Sequence, residues 1–218
     1  LFISGLPMIL AHRGIWKKRI EQNTMIAFRR AFIENIGIET DVRDSCGKLV
    51  VSHDIPGGKE LLLSKFFEEY KNNKNEVMLA LNIKSNGLSQ KLKVLIEQFK
   101  IKNYFCFDMS YPDLRDYNKY ELYFYSRISE FEKQLFFFNN CKGVWIDAFD
   151  REWYTKKTFK KFIDNKKDIA IVSSELHKRD YKENWIKIKN MELPWSNGKI
   201  LLCTDHPFEA LKFFKELK

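Results

Sequence analysis

A chain of 218 residues with 44% hydrophobic and 15% aromatic content can bury a sizeable core, which excludes a disordered or low-complexity chain. The formal charge of +9 favours anionic partners: phosphorylated small molecules, nucleic acid or an acidic membrane. The lysines are nevertheless scattered, with no basic tail, zinc-finger spacing or RNA-binding aromatic signature, so no nucleic-acid partner is expected, and no run reaches the roughly 20 apolar residues that cross a bilayer.

The opening segment, Leu1–Leu10, is apolar but broken by Ser4, Gly5 and Pro7. It lacks a basic start and a small-residue cleavage site, so it is not read as a signal peptide. The start at Leu1 rather than Met leaves room for an upstream piece. Short apolar runs then recur along the chain: Ile9–Ala11, Ile36–Val42, Val77–Ile83, Tyr104–Asp108, Leu122–Tyr125, Val144–Asp147, Ile169–Ser173 and Ile200–Cys203. Each has strand length and is rich in β-branched or aromatic residues. Amphipathic stretches lie between them. Thr24–Asn35 carries Met25, Phe28, Phe32 and Ile33 on one face, and Leu88–Phe99 carries Leu92, Leu95, Ile96 and Phe99. Thr155–Ile163 and Phe208–Leu217 behave alike. A turn at Cys46–Lys48 starts an extra hairpin piece, Leu49–His53, and a turn at Pro56-Gly57-Gly58 precedes another helix.

Alternating strands and helices imply a parallel sheet with right-handed crossovers. Eight such strands fit an α/β fold: one (β/α)8 TIM barrel, a single domain over residues 1–218, with the extra hairpin after the second strand. A doubly wound open sheet competes, but no G-x-G-x-x-G follows the first strand. The cysteines at 46, 106, 141 and 203 are far apart and form no CxxC, which reads as free, mostly buried thiols in a reducing, cytoplasmic compartment.

In either topology the chemistry sits at the C-terminal ends of the strands. There stand His12-Arg13-Gly14, Glu39 with Asp41, Asn82 with Lys84, and Trp145 with Asp147, while His53-Asp54 closes the hairpin. Residues two apart on a strand share a face, so Glu39 and Asp41 point together. Two such carboxylates resist joint ionisation, and a hard divalent cation bound to both removes that cost. The alternative is that one of them is an ordinary acid paired with a lysine. Two histidines beside such a site suit acid/base work, because the imidazole titrates near pH 6.5, and Arg13 and Lys84 add positive charge suited to a phosphodiester. Trp145 lines the pocket or packs in the core; Asp147 touches substrate or holds Lys84. Phe136-Phe137-Phe138 is expected in the core, with a hydrophobic lip as the alternative.

The ordered set Ala11-His12-Arg13-Gly14, Gln22-Asn23-Thr24 with Ala27-Phe28, Ile38-Glu39-Thr40-Asp41-Val42 and Val51-Ser52-His53-Asp54 resembles the glycerophosphodiester phosphodiesterase family. The likeness continues thinly through Asn82-Ile83-Lys84 and Thr204-Asp205-His206-Pro207. It implies a (β/α)8 barrel, a divalent metal (Mg²⁺ or Ca²⁺, with Mn²⁺ as a third choice) and a small phosphodiester substrate. It makes His12 and His53 the catalytic acid/base pair, Glu39 and Asp41 metal ligands, and Arg13 and Lys84 phosphate-binding cations. Three departures stand out. The family's E-x-K has Asn82 in place of the third acidic ligand, its E-N-T reads Gln22-Asn23-Thr24, and its small insertion domain after the second histidine is missing. The compactness is similar to the sphingomyelinase D branch, which uses a cyclising transfer. The expected reaction is hydrolysis of a glycerophosphodiester-like, glycerol-phosphate or nucleotide diester. Intramolecular transfer to a cyclic phosphate, or a non-catalytic phosphate-binding barrel, are the alternatives.

Overall fold

The computed structural model describes residues 7–74, 76–195 and 199–215. The first six residues of the opening segment, and the last two of the helix expected over Phe208–Leu217, lie outside the described residues. The chain forms two compact units, Ala11–Phe124 and Tyr125–Lys218 with Leu1–Leu10, and the boundary falls inside the first strand, β1 (Met8–His12).

After β1, the Ala11–Phe124 unit runs through α1 (Met25–Ile33), β2 (Gly37–Ser45), β3 (Lys48–Val51), β4 (Leu61–Leu62), α2 (Leu63–Asn72), β5 (Leu79–Ile83), α3 (Ser89–Gln98), β6 (Tyr104–Phe107) and α4 (Tyr111–Lys119). β2, β5 and β6 pair in parallel, with Asp41 opposite Asn82 and Asn82 opposite Phe107. β5 is wholly buried and reads Leu-Ala-Leu-Asn-Ile, so Asn82 is the only polar side chain in a strand otherwise built for the interior. The expected hairpin forms: β2 runs on to Ser45 and pairs antiparallel with β3, which in turn pairs with β4. Its two turn residues, Cys46 (φ 48) and Gly47 (φ 79), are both left-handed, the geometry that matches the twist of the flanking strands. α1 and α2 pack through aromatic rings, with Phe28 and Phe66 centroids 4.5 Å apart and Tyr70 against Phe32.

The Tyr125–Lys218 unit contains β7 (Tyr125–Ile128), β8 (Gly143–Ile146), α5 (Lys156–Asp164), β9 (Asp168–Val172), α6 (Tyr181–Lys189), β10 (Ile200–Thr204) and α7 (Pro207–Lys215). β7 to β10 are successive parallel neighbours. The strand expected over Leu122–Tyr125 is displaced: β7 starts at Tyr125, and Phe124 makes only an isolated bridge to Cys106. Two helices lacked a sequence signal. α4 begins Tyr-Pro-Asp, with proline in its first turn where no amide hydrogen is needed, and α6 buries Trp185 and Ile188 from a strongly polar stretch capped by Asp180. Trp185 donates its indole N–H to Ser173 Oγ at 2.7 Å, which satisfies the polar edge of a buried ring. Phe136, Phe137 and Phe138 are half-buried rather than core; Phe138 packs on buried Phe162. The four cysteines are free thiols, with Cys46 exposed and the other three buried. Among the described residues no helix is long and apolar enough to cross a membrane.

Gly14 is fixed by both conformation and space. Its φ is +83, and a Cβ would lie 2.9 Å from the carbonyl carbon and Cβ of Ala27. Gly14→Ala combines left-handed strain with overlap against helix backbone, and is expected to cost about 2 kcal/mol or more. For a chain of this size that lowers the thermal midpoint by roughly 4–8 °C, measurable by circular dichroism.

Candidate active site

The site begins where β1 ends. His12 is its last residue, and the backbone then turns through Arg13 (φ 58) and Gly14 (φ 83), with the Gly14 amide donating to Ala11 O at 3.1 Å. This turn sends both polar ends of Arg13 toward β2. Its amide donates to Glu39 Oε2 at 3.2 Å, and its Nε lies 3.0 Å from Asp41 Oδ2. One residue thus ties together the two carboxylates that the strand places on one face. His12 Nε2 lies 3.9 Å from Glu39 Oε2, and Trp16 anchors the turn by donating to His12 O at 3.1 Å.

Glu39 and Asp41 are each 1% exposed. Asn82 donates its amide to Glu39 Oε1 at 3.2 Å, and Lys84 stands 3.5 Å from Asp41 Oδ1 and 3.4 Å from Asp108 Oδ2. Asn23 holds Asp41 from the other side, donating to Oδ2 at 2.8 Å while accepting from Thr40 Oγ1 at 2.9 Å. It does so from a left-handed φ of 58, which asparagine tolerates better than most side chains. Gln22 Oε1 accepts from Arg13 Nη1 at 3.4 Å. A glutamate there would add an anion against the guanidinium; glutamine leaves Arg13 with more of its charge for a phosphate.

The electrostatics follow from this packing. Burial, and next the negative charge of Asp41, push the Glu39 carboxyl above the usual carboxylate range, while His12, Lys84 and Arg13 oppose the shift. A cation is the natural companion of such a pair. Among the described residues no group of three His, Cys, Asp or Glu side chains is placed to hold a metal. The third oxygen here belongs to an amide, and two acceptors fit the role: Asp41 Oδ1 and Asn82 Oδ1 are buried without a hydrogen-bond donor. Buried oxygens without a hydrogen bond, one of them facing only the Lys84 ammonium at 3.5 Å, beside a raised carboxyl are the kind of donors a hard divalent ion takes.

His53 follows β3 and is more open, its side chain 45% exposed. Its Nδ1 lies 2.8 Å from Asp54 Oδ1, and that hydrogen bond draws the Asp54 carboxyl below the ordinary value. Its backbone is set by Arg43, whose Nε donates to His53 O at 3.0 Å. In the other unit, Trp145 is 4% exposed on β8. Asp147 follows it, its Oδ1 2.6 Å from His177 Nε2 and 3.0 Å from the Ala148 amide. Three residues that make these contacts carried little or no signal in the sequence. Asp108 directly follows β6, as Lys84 follows β5, and that position was its available signal. Asn23 was visible within its motif, but not as the group that holds Asp41. His177 had no signal, because it lies in a short helical turn after β9. A cavity of about 580 Å³ between the β2–β3 hairpin and α3 is lined by Leu49, Leu62, Val94 and Leu95, and none of the residues above lines it.

Among solved structures, a glycerophosphodiester phosphodiesterase from Agrobacterium tumefaciens superposes with a TM-score of 0.67 at 14% identity, covering 94% of this chain and 100% of that one. A glycerophosphoryl diester phosphodiesterase from Parabacteroides distasonis gives 0.66 at 14%, over 100% and 89%. A protein from Galdieria sulphuraria, provisionally described as a glycerophosphodiester phosphodiesterase, gives 0.78 at 18%, over 98% and 99%. The chain has the glycerophosphodiester phosphodiesterase fold. The α/β class expected from strand–helix alternation is the class of these neighbours. No family model matches the sequence, and no curated relative does.

The raised Glu39 carboxyl makes a pH prediction. Its folded state binds the proton more tightly than the unfolded chain, so this group's contribution to stability falls as pH rises from the unfolded value toward the folded one. In metal-free buffer, Glu39→Gln should therefore unfold at a higher temperature than the wild type at neutral pH, and the difference should shrink in acid. Each kcal/mol relieved raises the midpoint by about 2–4 °C in a differential scanning experiment.

Proposed function

We propose that this chain is a metal-dependent phosphodiesterase, a phosphoric diester hydrolase acting on a small polar diester of the glycerophosphodiester kind. The observation that carries this reading is the convergence of Glu39, Asp41 and Asn82 oxygens with the cationic groups of Arg13 and Lys84 at the end of β1, β2 and β5. The fold likeness to three described glycerophosphodiester phosphodiesterases supports it. The near-complete mutual coverage with the Galdieria protein supports a single domain over residues 1–218. Four free cysteines, one of them exposed, fit a reducing, cytoplasmic location.

The division of labour follows from the side chains. Glu39, Asp41 and the Asn82 amide oxygen would hold a divalent cation such as Mg²⁺, Ca²⁺ or Mn²⁺, which supplies Lewis-acid stabilisation to the phosphate oxygens. Arg13 and Lys84 would turn from the carboxylates to the non-bridging phosphate oxygens, spreading the charge that builds up in the transition state. With its Nδ1 proton given to Asp54, His53 keeps Nε2 free to accept a proton from attacking water. His12 protonates the departing alkoxide oxygen, so one P–O bond forms, one breaks, and a monoester and an alcohol leave. In the Tyr125–Lys218 unit, Trp145 and Asp147 are proposed as substrate-binding residues, with His177 orienting the Asp147 carboxylate. If a substrate hydroxyl attacks in place of water, the same residues give a cyclic phosphate.

Purified protein supplied with these metals should hydrolyse at least one diester in a panel, and chelation should remove the activity. His12→Ala or His53→Ala should lower kcat by about 10²–10⁴, the range for loss of a general acid or base. Turnover unchanged in His12→Ala would sink the mechanism. Phosphorus NMR in ¹⁸O water separates direct hydrolysis, which labels the first product, from cyclisation, which does not.

Asn82→Glu should restore a third acidic ligand. Calorimetric titration is expected to show roughly tenfold or tighter metal binding than the wild type, by added ligand charge. Equal affinity would place Asn82 outside the metal's coordination.

A further inference from the structure

Two loops of the Ala11–Phe124 unit display isoleucines that nothing covers: Ile20 is 87% exposed and Ile55 is 86% exposed. Each follows a strand that carries a candidate catalytic histidine to its end, Ile20 after β1 with His12, and Ile55 after β3 with His53. Neither loop is slack. Glu21 accepts from the Lys17 amide at 2.7 Å and the Lys18 amide at 3.4 Å, and pairs with Arg30 Nη1 at 2.6 Å. Those bonds bring its carboxyl down to about 2, so the clamp stays ionised. Glu60 does the same work in the second loop, accepting from the Gly57 amide at 2.5 Å and the Gly58 amide at 2.9 Å. Both glutamates are turned inward onto backbone amides while the isoleucines face out.

The charge around Ile20 is one-sided. Lys17, Lys18 and Arg19 are exposed and precede it directly, and among the described residues none of them makes an ion pair. The nearest acid in the loop, Glu21, is matched by Arg30. An isoleucine held rigidly outward beside three free cations is the composition of a surface that enters the headgroup layer of an anionic bilayer: the apolar tip inserts and the cations meet the lipid phosphates. Nucleic acid would use the cations but has no use for exposed aliphatic tips, since base stacking calls for aromatic side chains. In the second loop the Asp54 side chain beside Ile55 is 93% exposed, an outward acid that an anionic surface disfavours, so the Ile20 loop is the stronger anchor.

We infer that the Lys17–Ile20 tip, assisted by Ile55, docks this protein on the surface of an anionic lipid bilayer, with the loops that carry His12 and His53 turned to the membrane. The inference extends the phosphodiesterase reading toward headgroup-bearing substrates, yet vesicle binding is measured without turnover, so either can fail alone. Vesicles of phosphatidylcholine, with and without a one-third share of phosphatidylglycerol, are sedimented with the full chain. Binding is expected on the anionic vesicles, weak on the neutral ones, and reduced by raised salt. Ile20→Glu should weaken it at least tenfold, and joint replacement of Lys17, Lys18 and Arg19 by alanine about a hundredfold. All four positions are exposed, so folding is not at stake, and hydrolysis of a water-soluble diester should be unchanged in each variant. Equal sedimentation with both vesicle types, or full binding by Ile20→Glu, overturns the proposal. So does tight binding of a duplex oligonucleotide that Ile20→Glu leaves intact, which would assign the cations to nucleic acid.

Discussion

Two carboxylates buried side by side on one face of β2 are the constraint around which the Ala11–Phe124 unit is arranged. Glu39 and Asp41 have almost no contact with solvent, and the charge of Asp41 adds to the cost that burial puts on ionising Glu39. Everything near them acts on that cost. Arg13 bridges them, Lys84 faces Asp41, His12 approaches Glu39, and amides of Asn23 and Asn82 each donate to one carboxylate. A core strand accepts this expense only where the charge is used, because a well-packed apolar pair would fill the same space at lower cost.

The backbone serves the same end. The left-handed turn at Arg13 and Gly14 exists so that an arginine can aim its amide and its guanidinium at two acids at once. The room for that turn comes from the missing side chain of Gly14 against α1. The parallel register that sets Asp41 opposite Asn82 places an amide where an acid would add a third negative charge. With Asn82 the cluster stays balanced by its own cations, Arg13 and Lys84. On the proposed metal-dependent reading, substitution at this one position would trade resting stability against metal affinity.

The exposed tips are the counterpart of the buried acids. Glu21 and Glu60 are turned to backbone amides, while Ile20, Ile55 and the lysines beside Ile20 are left outward. Outward isoleucine in the loops that follow the candidate histidines departs from the usual burial of large apolar side chains, and that departure motivates the proposed membrane contact.

Much of this was legible from the sequence. Period-two spacing put Glu39 with Asp41, the turn expected at Cys46–Lys48 announced the hairpin, and apolar runs marked most strands. These are local signals, set by the backbone's own periodicity and by which residues tolerate a positive φ. Sequence also named the candidate site residues His12, Arg13, His53, Asn82 and Lys84. Tertiary structure alone decided the pairings. It placed Asp108 beside Lys84, seated His177 against Asp147, and gave Asn23 the task of holding Asp41. It moved the strand start to Tyr125 and formed α4 and α6 from polar stretches. The physical reason is that ion pairs and helix docking depend on neighbours distant in the chain, and no local pattern encodes which neighbour packing will supply.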